Sequence, residues 1–386
     1  MTVLSRLSLA ALLAGSSFAA HAENITPNLK FNGFATASAA MLTDDQGGEY
    51  LQDINGHNGL TKDPSFGLES LIGLQFDYQV NEQINVVAQL VAQGRNNYQA
   101  EAEWAYIGYQ IDDNWRVRAG RFALPTFMYS ETIHVGQSYP WVRLPSEAYF
   151  GVPVTNFDGA DLLYRHALGS WNLNAQLLMG GSNAERFRTE NARGFNISLS
   201  NENLTVRAGI VDSELTFPVE CAVSLPSGTP GITIPGTLTP CPLDVKEEQT
   251  VFSNLGAVYD DGQWFAAAEV SQLTIHGWLN DWNAGYASVG HYFGKWLPFV
   301  LWSKINTFNG DECTTGAVVG FCSLSSNYQE QTTYAAGAHY ALRSNVSVKG
   351  QYDYVHNFND TTGFLSGGPT PPDAFGVFTI SLTAAF

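Results

Sequence analysis

The sequence predicts an all-β chain, an antiparallel up-and-down transmembrane barrel of about 16 strands. Three observations predict it. Candidate strands alternate oily and polar residues at period two, over the roughly 9–11 residues that a tilted strand needs to cross a bilayer. The connections between them alternate short and long. Aromatic residues gather beside the short ones. Composition agrees: 13% of the 386 residues are aromatic and only 14% are charged. Such a balance suits a wall with one lipid face and one wet face.

At the N-terminus, Arg6 precedes the apolar run Leu7 to Ala20, too short for a spanning helix, and Ala20-His21-Ala22 supplies a small-x-small cleavage site. Residues 1–22 read as a secretory leader and 23–386 as one barrel domain. The first strand follows soon after, leaving no room for an N-terminal plug. No later stretch reaches the roughly 18 consecutive apolar residues of a spanning helix.

The expected strands are 29–40, 68–80, 83–95, 99–111, 114–122, 159–167, 170–180, 193–200, 203–212, 249–259, 263–273, 282–293, 296–305, 330–342, 345–355 and 375–386. Ile72, Leu74, Phe76 and Tyr78 oppose Gly73, Gln75 and Asp77; Trp171, Leu173, Ala175 and Leu177 oppose Asn172, Asn174 and Gln176. In the last strand Phe378, Ile380, Leu382, Ala384 and Phe386 share one face, and the chain stops on that aromatic. The polar set includes Lys349, Asp353 and Asp77, which need a water-filled interior. Tight connections at Asn81-Glu82, Asp112-Asp113, Leu168-Gly169, Asn201-Glu202, Gly294-Lys295 and Arg343-Ser344 contrast with the long stretches 123–158 and 213–248. Tyr78, Trp115, Trp171, Tyr259, Trp264 and Trp296 flank the tight turns as an interfacial girdle.

Net charge is −18, becoming −19 when Arg6 leaves with the leader. Nucleic acid is not an expected partner of so acidic a chain. The four cysteines fall in two loop-like pairs. Three pairings are open; the expected one is sequence-local, Cys221 with Cys241 and Cys313 with Cys322, as loop disulfides of an exported protein. No CxxC and no histidine cluster supports a metal, and no cofactor is expected.

Arg116 and Arg118 share a face of the fifth strand opposite Trp115, Val117 and Ala119. An arginine aimed at hydrocarbon near mid-depth costs about 2–4 kcal/mol, so that face points to the lumen. Strict alternation turns Arg121 outward; a bulge at Gly120 would return it inside. Lys30, Arg165, Lys349 and Asp353 are further lumen-wall charges. No motif sets a nucleophile, base and orienter together, so no enzyme is expected.

The chain resembles the sixteen-stranded general porins of Gram-negative outer membranes. The resemblance rests on Arg118-Ala119-Gly120-Arg121 before a long third loop, on Gly290-His291-Tyr292-Phe293-Gly294-Lys295-Trp296 across a short turn, on Val348-Lys349-Gly350-Gln351-Tyr352-Asp353-Tyr354, and on terminal Phe386. It departs from the family in lacking the Pro-Glu-Phe-Gly-Gly stretch and in its short loop 96–98. The resemblance implies outer-membrane localisation and a third loop folded into the lumen. It implies a constriction of Arg116, Arg118 and Arg121 with Glu131, Arg143, Glu147 and Asp158. It further implies a homotrimer embedded among lipid and lipopolysaccharide, and Phe386 as the signal read by the outer-membrane assembly machinery. The function it implies is passive diffusion of small hydrophilic solutes and ions. The acidic net charge, with Glu131, Glu147 and Asp158 partly neutralising the arginines, leans the expected preference toward cations. A substrate-selective porin, or an adhesin or phage-receptor barrel of little conductance, are the alternatives.

Overall fold

The computed structural model describes residues 23–51, 59–149, 151–152, 154–183, 187–217, 245–276, 280–308, 329–367 and 372–386. The expected leader, residues 1–22, and all four cysteines with their expected pairings lie outside the described residues. Sixteen strands form the wall: β1 Leu29–Leu42, β2 Leu71–Gln79, β3 Ile84–Gln93, β4 Ala100–Gln110, β5 Trp115–Ala123, β6 Asn156–Leu168, β7 Trp171–Asn183, β8 Arg188–Ser200, β9 Leu204–Phe217, β10 Val245–Asp260, β11 Trp264–Ile275, β12 Asp281–His291, β13 Trp296–Phe308, β14 Glu330–Arg343, β15 Val346–His356 and β16 Phe375–Ala385. Each pairs antiparallel with the next, and β16 pairs with β1 from Val377↔Leu42 to Ala385↔Phe34, so the sheet closes and no wall edge is left open. Phe386 extends the seam by exchanging both backbone bonds with Gly33, at 2.6 and 2.7 Å. A Cβ on Gly33 would sit 2.4 Å from the Phe386 ring, so only glycine fits beneath that aromatic. One minor strand, Glu23–Thr26, joins the wall by pairing with the start of β1. Glu49–Tyr50 and Leu365–Ser366 pair as a separate two-stranded sheet at the long-loop end.

The short turns share a device. Asn81, Asp112, Asn201 and Asp261 each accept N–H bonds from the residues two and three positions later, at 2.6–2.9 Å. A side chain thus imitates the turn's own carbonyl and fixes where the chain reverses. The backbone N–H groups of Trp264 and Gln263 also hold the Asp261 carboxyl below the usual carboxylate range.

Alternation sets the two faces. Met179, Val270 and Val300 stand 64%, 59% and 56% exposed on the outside, where lipid covers them. Inside, the long-loop half is oily on one side. Leu42, Phe252, Leu273, Trp282, Ile305, Val355, Phe375 and Val377 form one buried cluster with loop residues Tyr50, Leu60, Phe127, Phe358 and Phe364. A second cluster, on β11 to β14, packs Phe265, Tyr286, Leu297 and Phe299 against Tyr129, Tyr139, Trp141 and Leu144 of the third loop.

Candidate solute path

The third loop leaves β5 after Ala123, turns into the barrel and rejoins the wall at Asn156. Four prolines, Pro125, Pro140, Pro145 and Pro153, interrupt the sequence, and short helical turns at Ser130–Thr132, Gly136–Ser138 and Ser146–Tyr149 compact it. A Cβ on Gly136 would meet Thr383 at 2.8 Å, which shows how closely the loop approaches β16.

Its anchors are polar and mostly buried. Lys349 on β15 is 0% exposed, and its Nζ donates to the carbonyls of Gly136, Tyr139 (2.6 Å) and Trp141 (2.8 Å), with the Tyr139 ring centroid 4.7 Å away. All three of its protons are therefore spent on loop backbone. Arg143 reaches from the loop to Glu69 (3.3 Å), Thr379 (2.9 Å) and Asp353. Burial works against its charge, but Asp353 and Glu69 outweigh that and lift its pKa further above the ordinary value. Glu147 accepts from Ser303 and Gln331, both at 2.6 Å, and from Thr333. The Trp141 indole donates to Ser288 at 3.0 Å, and Glu269 accepts the Met128 N–H and the Tyr149 hydroxyl. Glu131 takes Arg207 on β9 at 2.8 and 3.2 Å. Burial raises the Glu131 pKa, yet the Arg207 guanidinium overrides this and holds the carboxyl below the usual range. His134 Nε2 lies 3.3 Å from Glu103 on β4.

These contacts separate the expected constriction residues. Glu131, Arg143 and Glu147 belong to the loop, but their hydrogen-bond partners are wall residues other than Arg116, Arg118 and Arg121. Asp158 is not a loop residue; it lies in β6 and pairs with Arg121 at 2.7 and 2.8 Å. The bulge expected at Gly120 is absent. The β4–β5 register runs unbroken from Gln110↔Arg116 to Ala105↔Arg121, so Arg121 stays on the outward face of Trp115, Val117 and Ala119. Asp158 across β6 neutralises it there, which removes the need to bring it inside. Gly120 has φ +131°, and a Cβ there would meet the Ala105 carbonyl at 2.3 Å, so the glycine serves close strand approach.

The opposite wall, short-turn half, is wet. Arg118 spans Asp161 with Nε 3.1 Å from both carboxylate oxygens, beneath the Tyr106 and Phe122 rings. Gln176 also donates to Asp161 at 2.7 Å. Arg116 donates to Asn85 at 2.6 Å, and among the described residues no carboxylate pairs with it. Arg165 and Lys30 are exposed on the same inner face, and neither has an ion-pair partner among the described residues. Asp77, which accepts from Gln75 at 2.9 Å, lies across from Lys30. Sequence reasoning placed Lys349 and Asp353 on the lumen wall, where their strand face lies, but did not see that the loop consumes them. Arg207, Glu269, Glu69 and the Glu103–His134 pair were not singled out as anchors. Their only signal was charge on an inward face, shared with many residues that do nothing similar.

No protein-family model and no curated protein sequence matches the chain. Solved structures do. Outer-membrane OmpT of Vibrio cholerae, also known in a trimer form, aligns with TM-score 0.58 at 14% identity over 94% of this chain and 99% of its own. An anion-selective porin from Comamonas acidovorans aligns with TM-score 0.58 at 13% identity, covering 93% and 99%. Salmonella typhi OmpF, in complex with daunomycin, gives 0.57 at 14%, covering 93% and 98%. At these identities the likeness is one of fold, and the fold is the closed sixteen-strand barrel of outer-membrane porins.

Proposed function

We propose that the chain is an outer-membrane porin through which small hydrophilic solutes and ions diffuse passively down their gradients. The observation that carries this reading is the asymmetry of the interior. The third loop is fastened mainly to β9 and to β11–β16, with His134 also beside Glu103 on β4, while Lys30 and Arg165 on the short-turn half of β1–β7 stay exposed. A hydrated strip beside an anchored loop is what a narrowed but open conduit requires. The mechanism has no turnover and assigns no catalytic residue.

The trimer form of the Vibrio cholerae barrel supports a homotrimer. Phe386 at the seam supports a role as the assembly signal, set among lipid and lipopolysaccharide. A barrel with little conductance, acting at the surface, is favoured by one feature: the oily cluster that loops build at the long-loop mouth. Planar-bilayer recording of purified protein separates the readings. Stepwise ohmic conductance supports diffusion, saturable block by a solute supports selectivity, and silence of correctly folded protein sinks the porin reading.

A further inference from the structure

Resting on the porin reading, we infer that the path selects small anions, and that Arg116 and Arg165 form its anion subsite. The chain's net charge of −18 argues for cations at the mouth, but permeation is decided where the path is narrow. The loop and β6 carboxylates expected to balance the arginines each have another partner. Glu147 is buried against hydroxyls and an amide of β13 and β14, Asp158 meets Arg121 on the outer wall, and Glu131, whose side chain is still 42% exposed, has its charge paired with Arg207. Among the described residues of the wet wall, the cations are Lys30, Arg116, Arg118 and Arg165; the carboxylates are Asp77 and Asp161, and Asp161 is fully engaged by Arg118 and Gln176.

Arg116 and Arg165 sit on adjacent strands near the short-turn ends, on one inner face, with Arg116 directly across from Leu163, two residues from Arg165. Neither has a carboxylate of its own. A guanidinium held by one neutral amide keeps most of its N–H donors free, and planar oxyanions match that fork. Two such groups side by side on the inner wall draw chloride, phosphate or carboxylate-bearing solutes and repel potassium. The acidic turn residues Asp112, Asp113 and Glu202 lie at the rim, where salt screens them.

Reversal potentials in a potassium chloride gradient, repeated with potassium phosphate, test the inference. The wild-type barrel is expected to pass chloride about threefold or more over potassium, and Arg116→Ser/Arg165→Ser to lose at least about half of that ratio. Arg116→Lys/Arg165→Lys should keep it, which separates charge from folding damage. Phosphate should slow chloride current in the wild type but not in the Ser/Ser variant. A conducting wild type that prefers potassium, or a Ser/Ser variant with unchanged reversal potential, overturns the inference and leaves the porin reading standing. No conductance from folded protein overturns both.

Discussion

Lys349 and Arg116 are both cations on the inner wall, yet they are used in opposite ways. Lys349 is sealed under the third loop and spends every proton on loop carbonyls. Arg116 keeps one amide partner and faces water. The same contrast divides the whole interior. On β9 and β11–β16, polar side chains are structural and hold a loop. On the short-turn half of β1–β7, Arg118 and Asp161 are spent on each other, but Lys30, Arg116 and Arg165 keep donors available to a solute. An inward charge therefore says nothing about permeation until its partner is known.

Breaking the sealed side should have the largest effect. Arg143→Ala strands Glu69 and Asp353 as buried, unpaired carboxylates, a loss of about 3–5 kcal/mol at this anchor. It should loosen the loop, measured as faster proteolysis between Ala123 and Asn156 and as noisy, larger conductance. Lys349→Met leaves three carbonyls without a donor, each costing about 1–3 kcal/mol if it stays dry. A smaller change in the same two measurements is expected, because water can enter as the loop lifts. If both variants keep wild-type conductance and protease resistance, the division into sealed and open halves is wrong.

Acid should act next. The Glu131 carboxyl is held below its unfolded value, so its pair with Arg207 contributes above the ordinary carboxylate range and is lost as pH falls through the lowered pKa. Channel noise should rise below about pH 4. In Glu131→Gln the noise should already be present at neutral pH. The smallest effect is expected outside the lumen: Arg121→Ser should leave the reversal potential unchanged, since Arg121 and Asp158 meet on the outer wall. A shift there as large as that of Arg116→Ser would place Arg121 back in the path.

Much of the wall was legible in the sequence. Ile72 to Tyr78 and Phe378 to Phe386 announce their faces by period two, because a closed barrel repeats one local rule. The strands β9 and β10 run beyond their expected ends, to Phe217 and from Val245, since pairing with each other sustains them where alternation fades. No bulge falls at Gly120; register breaks fall elsewhere, one of them between Gln89 and Leu90 of β3 and their β4 partners Trp104 and Ala102, beside Glu103. Nothing local marks it. The site was less legible for a similar reason. Arg116 and Arg118 were placed by the cost of charge in lipid, a local argument. The fates of Glu131, Glu147 and Lys349 depend on contacts between the third loop and strands far along the chain, which no spacing encodes.

The repeated turn built on Asn81, Asp112, Asn201 and Asp261 makes this cylinder modular. Each hairpin carries its own instruction for where to reverse, so its register does not wait on distant partners. Units of that kind can be gained or lost in pairs of strands while every remaining side chain keeps its side of the wall. The girth of such a barrel can therefore change by whole hairpins without rewriting the rest.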